Sequence, residues 1–418
     1  MRMGGAVRIL AVTAPLLLAC GRTPLPAAAP PDLGSGGLAC PQVFDLFLTL
    51  YTRETIAWID SVALRPDGDF AFAGGSSFAE PEAGYSFNFW SADVGAGGVL
   101  RWSGKDNWRP GRPPVLKQSA RGVVVLDDGS TVVAGTHEDG LRLVRRDPMG
   151  RVTGTIAATG LVDEIFGVTR VAEGAVAVVG SHGDPRTGQT RAFVHAFSDF
   201  SGGPGLPWTT VDLMPGFASR GRAIAALDGG GVVVTGVAFR DSPTIGQPFL
   251  CVIDRNGDVK SQVTYPMSSD YGATAVIALP DGDLVFAGSV FGARRDAFLA
   301  RTDRAGRFRW VRSYGGAEDD MAWGLARIGG DFPGGAGFAV AGQTSSKGAG
   351  DQDAWLIRTD ENGELLFDRT YGHQYYDVAY DVAVIPASPS RAAGFLLGGS
   401  QSIPEQDERA DAWLARTD

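Results

Sequence analysis

His137 and His182 are the side chains best placed by spacing to do chemistry. Each stands two residues past a glycine, in Gly135-Thr136-His137 and Gly180-Ser181-His182, with Glu138, Asp139 and Asp184 close by. Two imidazoles and a carboxylate can hold a divalent cation, so this pair is the candidate metal site. A second set is mixed in charge and lies in segments of variable length: Arg240, Arg294 and Arg295 against Asp319, Asp320, Asp351 and Asp353, with His373, Tyr375 and Tyr376 nearby. Such a set suits recognition of a partner better than bond-making, and it forms the candidate binding face. No catalytic residue is assigned and no cofactor is expected. The hydrolase signature Gly-x-Ser-x-Gly does not occur. In the stretch from Gly342 to Gly348, Lys347 precedes the glycine instead of following it, so a phosphate loop is not expected. Asp254-Arg255-Asn256-Gly257-Asp258 and Asp360-Glu361-Asn362-Gly363-Glu364 begin like calcium loops but lack the later glutamate and read as hairpin turns.

Composition narrows the field. The 418 residues carry a net charge of −10, which argues against a nucleic-acid partner held by a basic surface. Three cysteines and four histidines leave little room for a zinc module. A hydrophobic share of 44% is enough for a sizeable core.

The elements that must position these residues come from self-similarity. Asp296-Ala297-Phe298-Leu299-Ala300-Arg301-Thr302-Asp303 aligns with Asp353-Ala354-Trp355-Leu356-Ile357-Arg358-Thr359-Asp360 and with Asp411-Ala412-Trp413-Leu414-Ala415-Arg416-Thr417-Asp418. A glycine closing the preceding apolar strand recurs as Gly74, Gly135, Gly180, Gly236, Gly288, Gly342 and Gly399. A period near 50 residues with strands in each copy predicts an all-β, seven-bladed β-propeller of four-stranded antiparallel blades. Asp-Gly and Asn-Gly pairs predict two-residue hairpin turns. The last copy ends after its third strand, so Val43–Tyr51 is expected to pair with it and close the ring. Arg145, Arg301, Arg358 and Arg416 recur with the repeat and are expected to pair with acids of a neighbouring strand or turn. Trp310, Trp323, Trp355 and Trp413 are expected in packing. The candidate binding face then lies where the connections between blade strands gather.

The Trp-Leu-x-Arg-Thr-Asp-x-x-Gly segment resembles the bacterial SBBP-type β-propeller repeat of secreted and lipid-anchored proteins, most closely in the last three copies. That resemblance implies the fold and export, and no catalytic residues. The N-terminus agrees with export. Arg2 and Arg8 precede an apolar run, Ile9 to Ala19, too short to span a bilayer. Leu17-Leu18-Ala19-Cys20 resembles a lipobox, which implies a lipid on Cys20 and a cell-envelope address, at the outer membrane because residue 21 is Gly. The expected organisation is a signal peptide over 1–19, the lipidated Cys20 and a Pro/Ala/Gly-rich tether over 20–42, and one propeller over 43–418. Cys40 and Cys251 either pair in that oxidising compartment or leave Cys251 a buried thiol.

The expectation for function is a monomeric envelope lipoprotein that binds an envelope protein or glycan through its loop face, held to the membrane by its lipid. The alternative is a periplasmic or extracellular enzyme (a lyase, hydrolase or quinoprotein-like dehydrogenase) with its site at a central pore.

Overall fold

The computed structural model describes residues 46–50, 56–80, 84–106, 118–137, 140–159, 164–171, 175–183, 189–197, 210–240, 245–389, 391–402 and 410–417. The expected signal peptide, Cys20, the tether and Cys40 lie outside them, as do Glu138, Asp139 and Asp184. All regular structure among the described residues is β. Strand β1 (Leu46–Leu50) precedes the first repeat, β2 (Ile56–Leu64), β3 (Phe70–Glu80), β4 (Gly84–Val94) and β5 (Leu100–Asp106). The second repeat is β6 (Gln118–Val125), β7 (Thr131–His137), β8 (Gly140–Arg146) and β9 (Val152–Thr159). The third is β10 (Glu164–Arg170), β11 (Val176–Gly183), β12 (Thr190–Phe197) and β13 (Thr210–Asp212). The fourth is β14 (Ala218–Ala226), β15 (Val232–Phe239), β16 (Gln247–Ile253) and β17 (Val259–Thr264). The fifth is β18 (Ala273–Ala278), β19 (Leu284–Phe291), β20 (Arg295–Thr302) and β21 (Phe308–Tyr314). The sixth is β22 (Asp320–Ile328), β23 (Gly337–Thr344), β24 (Asp353–Asp360) and β25 (Leu365–Tyr371), and the seventh β26 (Asp377–Ile385), β27 (Gly394–Ser402) and β28 (Ala410–Thr417).

Repeats two to six each form a four-stranded antiparallel sheet in chain order. The first and last repeats do not. They join in one eight-stranded sheet of order β26-β27-β28-β2-β3-β4-β5, with β1 also paired to β28. This corrects the expected seven-bladed propeller of separate four-stranded blades closed by the N-terminal strand: among the described residues the sheets number six, and β1 belongs to the large mixed one. The reason lies along the edge of β28. β1 covers Ala412 to Arg416 in antiparallel register, and the exposed start of β28 takes Ile56 of β2 as a parallel partner at Ala410.

Burial falls from the inner strands outward. Every residue of β15 is buried, because both of its faces are covered, and it reads as a nearly unbroken apolar run. Every residue of β17, at the sheet edge, is exposed or half-buried. The apolar clusters lie between consecutive repeats. Val179 and Val194 pack with Val234, Phe249 and Cys251 across repeats three and four, and Ile59, Phe72 and Trp90 with Ile385, Leu396 and Leu414 across the first and last. Cys251 is a free, fully buried thiol whose pKa burial pushes up to about 12.

The hairpins differ from the expected two-residue turns. In Leu279-Pro280-Asp281-Gly282-Asp283, Gly282 N–H donates to Leu279 O (3.0 Å) and Leu279 N–H to Asp283 O (2.9 Å), which defines a three-residue loop. Gly282 has φ 89°, the left-handed residue that a type I turn followed by a G1 bulge requires.

The recurring glycines have a stricter role. In all seven repeats the first strand carries a register shift, and the repeat glycine pairs with the residue just before it: Gly74 with Ile59, Gly135 with Ala120, Gly180 with Ile165, Gly236 with Gly221, Gly288 with Ala273, Gly342 with Ala322 and Gly399 with Ala379. A Cβ on Gly288 would lie 2.2 Å from Gly272 O and 2.8 Å from Ala273 Cα, both backbone atoms, and the other six are as crowded. Gly288→Ala is therefore expected to cost about 3 kcal/mol by overpacking. Gly97→Ala, with nothing within 4 Å of its new Cβ, should stay within about 0.5 kcal/mol of wild type. Urea denaturation of the two variants checks the contrast.

Asp381 ties the last repeat to the first. It accepts from Val62 N–H (2.9 Å) and Val382 N–H (2.8 Å), and burial pushes its carboxyl up to about 6. The folded state thus holds this proton more tightly than the unfolded chain does. The stabilisation from Asp381 grows as pH falls from about 6 towards 4, and it is lost as pH rises through 6. Relative to Asp381→Asn, wild type should gain stability between about pH 7 and about pH 4.5, as read by urea denaturation at both values.

Candidate functional site

Each register shift leaves one residue of the first strand without a partner on the second. These seven residues are Asp60, Arg121, Phe166, Arg222, Thr274, Trp323 and Tyr380. A bulge turns the extra residue out of the ladder and re-aims its side chain. All seven line a single cavity of about 410 Å³, completed by Trp58 and Tyr271. Every one of the nine is half-buried, so the walls are formed yet reachable. Sequence reasoning treated the recurring glycine as a strand end and Trp323 as packing, and so did not find this site. The signal was present. The bulged residue lies fourteen positions before the glycine in the first five repeats, as Asp60 before Gly74, and nineteen before it in the last two, as Trp323 before Gly342.

One side of the cavity is an ionic cluster. Arg121 Nη1 donates to Asp60 Oδ1 at 2.8 Å, Trp58 Nε1 donates to Asp60 Oδ2 at 2.6 Å, and Ser119 Oγ donates to the same oxygen at 3.1 Å. The Asp60 carboxylate holds the Arg121 guanidinium above its ordinary pKa. Both carboxylate oxygens are engaged, so Asp60 anchors the wall and is not a free base.

The other side is aromatic. Tyr271 and Trp323 meet edge to face with ring centres 5.2 Å apart, and Trp323 and Tyr380 are 6.1 Å apart. Trp323 Nε1 donates to Gln343 Oε1 (2.9 Å), and Gln343 Nε2 donates to Gln352 Oε1 (2.9 Å), which fixes the indole. Thr274 Oγ1 donates to Ala322 O (2.8 Å), tying the fifth repeat to the sixth. Burial raises the Tyr380 phenol above its ordinary pKa. Between the two sides lies Arg222. Its Cζ is 4.3 Å from the Phe166 ring centre and 5.6 Å from that of Tyr271. Burial, then the neighbouring Arg220, lower its pKa to about 10.

The residues singled out in the sequence lie elsewhere. His182 Nε2 is 3.3 Å from Asp212 Oδ1, and His137 ends β7 in the preceding sheet. Among the described residues, no group of three or more His, Cys, Asp and Glu is placed to hold a metal ion. The charged loop residues act as clamps. Arg295 bridges Asp270 (2.8 Å) and Asp319 (2.7 Å), and Arg294 approaches Glu318 at 3.3 Å. Asp320 accepts from Gly316 N–H (2.8 Å) and Ser346 Oγ (2.7 Å), and Asp353 from Ala349 N–H (2.9 Å) and Gly350 N–H (3.1 Å). His373 N–H donates to Asp377 Oδ2 at 2.6 Å, and its Nδ1 lies 2.7 Å from Gln401 Nε2. Tyr375 and Tyr376 give backbone carbonyls to Gln352 and Ser402, and the Tyr376 ring is exposed, as are Arg240 and Asp351. The calcium-like stretch at Asp254 is a turn: its Oδ1 accepts from Asn256 N–H (2.9 Å) and Asp258 N–H (3.0 Å), and Lys260 sits 2.9 Å from Oδ2.

The repeated arginines divide. Arg145 pairs with Asp128 (2.6 Å) and Arg301 with Asp281 and Asp283, as expected. Arg358 and Arg416 bond instead to carbonyls, of Pro333 and Gly335 and of Ala392, because the longer hairpins of the last two repeats bring backbone to them.

No family model matches the chain, and no curated protein matches it. Among solved structures it is similar to Sqt1 from Chaetomium thermophilum, at 13% identity and a TM-score of 0.48 over 82% of this chain and 80% of that one. It is also similar to a protein of unknown function from Dyadobacter fermentans, at 13% identity and a TM-score of 0.49 over 91% of this chain and all of that one. Repeated four-stranded sheets are what the chain presents; these likenesses are too weak to carry more.

The Asp60–Arg121 pair is expected to matter in proportion to its exposure. The Asp60 side chain is 8% exposed and that of Arg121 38%, so solvent screens the pair only in part. Asp60→Asn should cost about 1–2 kcal/mol and shift the emission of Trp58, measured by urea denaturation followed through tryptophan fluorescence.

Proposed function

We propose that the protein is a binding module that holds a small molecule in the cavity built by its seven first-strand bulges. The observation that carries this is the convergence of one bulged side chain from every repeat on one cavity. Five aromatic rings, two guanidinium groups and one carboxylate give it walls of mixed polarity, with ring faces to pack a ligand and charged groups to orient it. The saturated carboxylate of Asp60 favours binding over acid–base chemistry. Ligand entry should change the fluorescence of Trp58 and Trp323. A panel of neutral and charged sugars and aromatic compounds, read by tryptophan fluorescence and melting temperature, tests the proposal. At least one compound is expected to perturb both readouts in wild type and neither in Thr274→Trp, which fills the cavity. A ligand that binds the filled variant equally well would place binding elsewhere.

The module is proposed to work at the cell envelope on a lipid at Cys20. The sequence Leu17-Leu18-Ala19-Cys20 and the Pro/Ala/Gly-rich stretch behind it support this, as does the resemblance of its repeated segment to the SBBP type. Cys20→Ala should move the protein from the membrane fraction to the soluble one and abolish incorporation of labelled palmitate. Unchanged fractionation and labelling would refute the anchor.

A further inference from the structure

We infer that the cavity selects a ring-shaped ligand bearing one carboxylate, and that Arg222 is the residue that takes its charge. This rests on the cavity being a binding site, and it adds what the site recognises. Charge bookkeeping at the wall leads to it. Of the two guanidinium groups lining the cavity, Arg121 has its counter-charge in Asp60 at 2.8 Å. Arg222 has none. Among the described residues no carboxylate comes within ion-pair distance of it, and its Nε is buried without a hydrogen-bond partner. Its nearest neighbours are the Phe166 and Tyr271 rings and a second cation, Arg220, and the Glu164 carboxylate acts on it only from beyond ion-pair distance. A half-buried guanidinium without an ion-pair partner is costly for the empty protein, and an arriving anion relieves that cost.

With Arg121 set against Asp60, and Arg222 and Arg220 set against the more distant Glu164, one positive charge is in surplus and matches one negative charge. A dianion, or a second carboxylate, would meet Asp60 across the cavity. The guanidinium fork suits a planar carboxylate, which it can grip with two parallel hydrogen bonds. The rest of the ligand must lie against Trp58, Tyr271, Trp323 and Tyr380, which favour a flat or ring-shaped body of modest size in about 410 Å³. The shared chemistry is a carboxylate on a six-membered ring, whether the ring is a uronic-acid sugar or an aromatic acid. In a chain of net charge −10, a cation in the cavity wall offsets the repulsion that an arriving anion would meet.

Isothermal titration with four probes tests this: glucuronate, benzoate, and their uncharged counterparts glucose and benzyl alcohol. At least one of the two acids is expected to bind, at least tenfold more tightly than its neutral counterpart, and the better acid tells a sugar ring from an aromatic one. Arg222→Met should weaken that acid by about ten- to a hundredfold, as befits the loss of a charge-assisted pair. Arg222→Lys, which keeps charge but not the fork, should fall between. Because Arg222 has no internal ion-pair partner, and Met keeps an apolar contact with the Phe166 ring in place of the cation–π one, Arg222→Met should melt close to the wild-type temperature without ligand, whereas loss of a structural arginine would lower it sharply. If glucose or benzyl alcohol binds as well as its acid, or if Arg222→Met binds the acid unchanged, the assignment to Arg222 falls while the cavity-binding reading stands. If Arg222→Met melts well below wild type, Arg222 is structural and the inference fails. If no probe of either charge binds, both fail together.

Discussion

The organisation of this protein depends on a steric contact too close for any side chain. In each repeat a second-strand glycine lies against the backbone carbonyl that precedes a first-strand bulge, at distances of 1.8 to 2.2 Å from where a Cβ would be. Only glycine permits that approach. The approach lets the first strand carry an extra residue, and the extra residue leaves the ladder with its side chain turned to the cavity. Seven repetitions of one local event produce a single convergent site. The scaffold and the site are thus set by the same backbone feature, while the identity of the bulged residue is free to vary from Asp to Trp.

That freedom is visible in the chemistry. The repeats share their apolar inner strands, which pack between consecutive units and permit little change. The bulged positions share nothing but their geometry: one acid, two guanidinium groups, one hydroxyl and three rings. The acid and one guanidinium neutralise each other. What remains is an aromatic-walled pocket with a cation in its wall inside an acidic protein, and its character comes from Arg222 lying over Phe166 with no ion-pair partner among the described residues. The acids at the strand connections have a different task, and two of them, Asp320 and Asp353, are buried at the starts of β22 and β24. Asp319, Asp320 and Asp353 accept from backbone N–H groups and from Arg295 or Ser346, holding connections in place, and Asp320 does so through Oδ2 alone.

Much of the strand framework was legible in the sequence because it is written in repeated residues. The Asp-Ala-Trp-Leu-x-Arg-Thr-Asp segment marks the third strand, and the Asp-Gly pairs mark the hairpins, although each loop has three residues and not two. The sheet count was not legible. Whether the first and last repeats stay apart or merge depends on one parallel partner, Ile56 opposite Ala410, at an edge that no periodicity describes. The site was not legible for a related reason. A bulge is a mismatch between strands, and a chain read one strand at a time shows only alternation. The histidines and acids of the connections drew attention by residue type, whereas the cavity residues are united by position, an offset of fourteen or nineteen residues from a glycine. Trp323 illustrates the difference: as a residue type it suggests packing, and as a bulged residue it walls a cavity.

The most direct measurement is a crystal soaked with 4-bromobenzoate, its bromine located by anomalous scattering. One bromine peak is expected inside the cavity of the seven bulges, with the carboxylate within hydrogen-bond distance of the Arg222 guanidinium. A peak only among the outer loops, or a bulged side chain such as Trp323 or Tyr380 found turned away from the cavity, would contradict a ligand site made by register shifts.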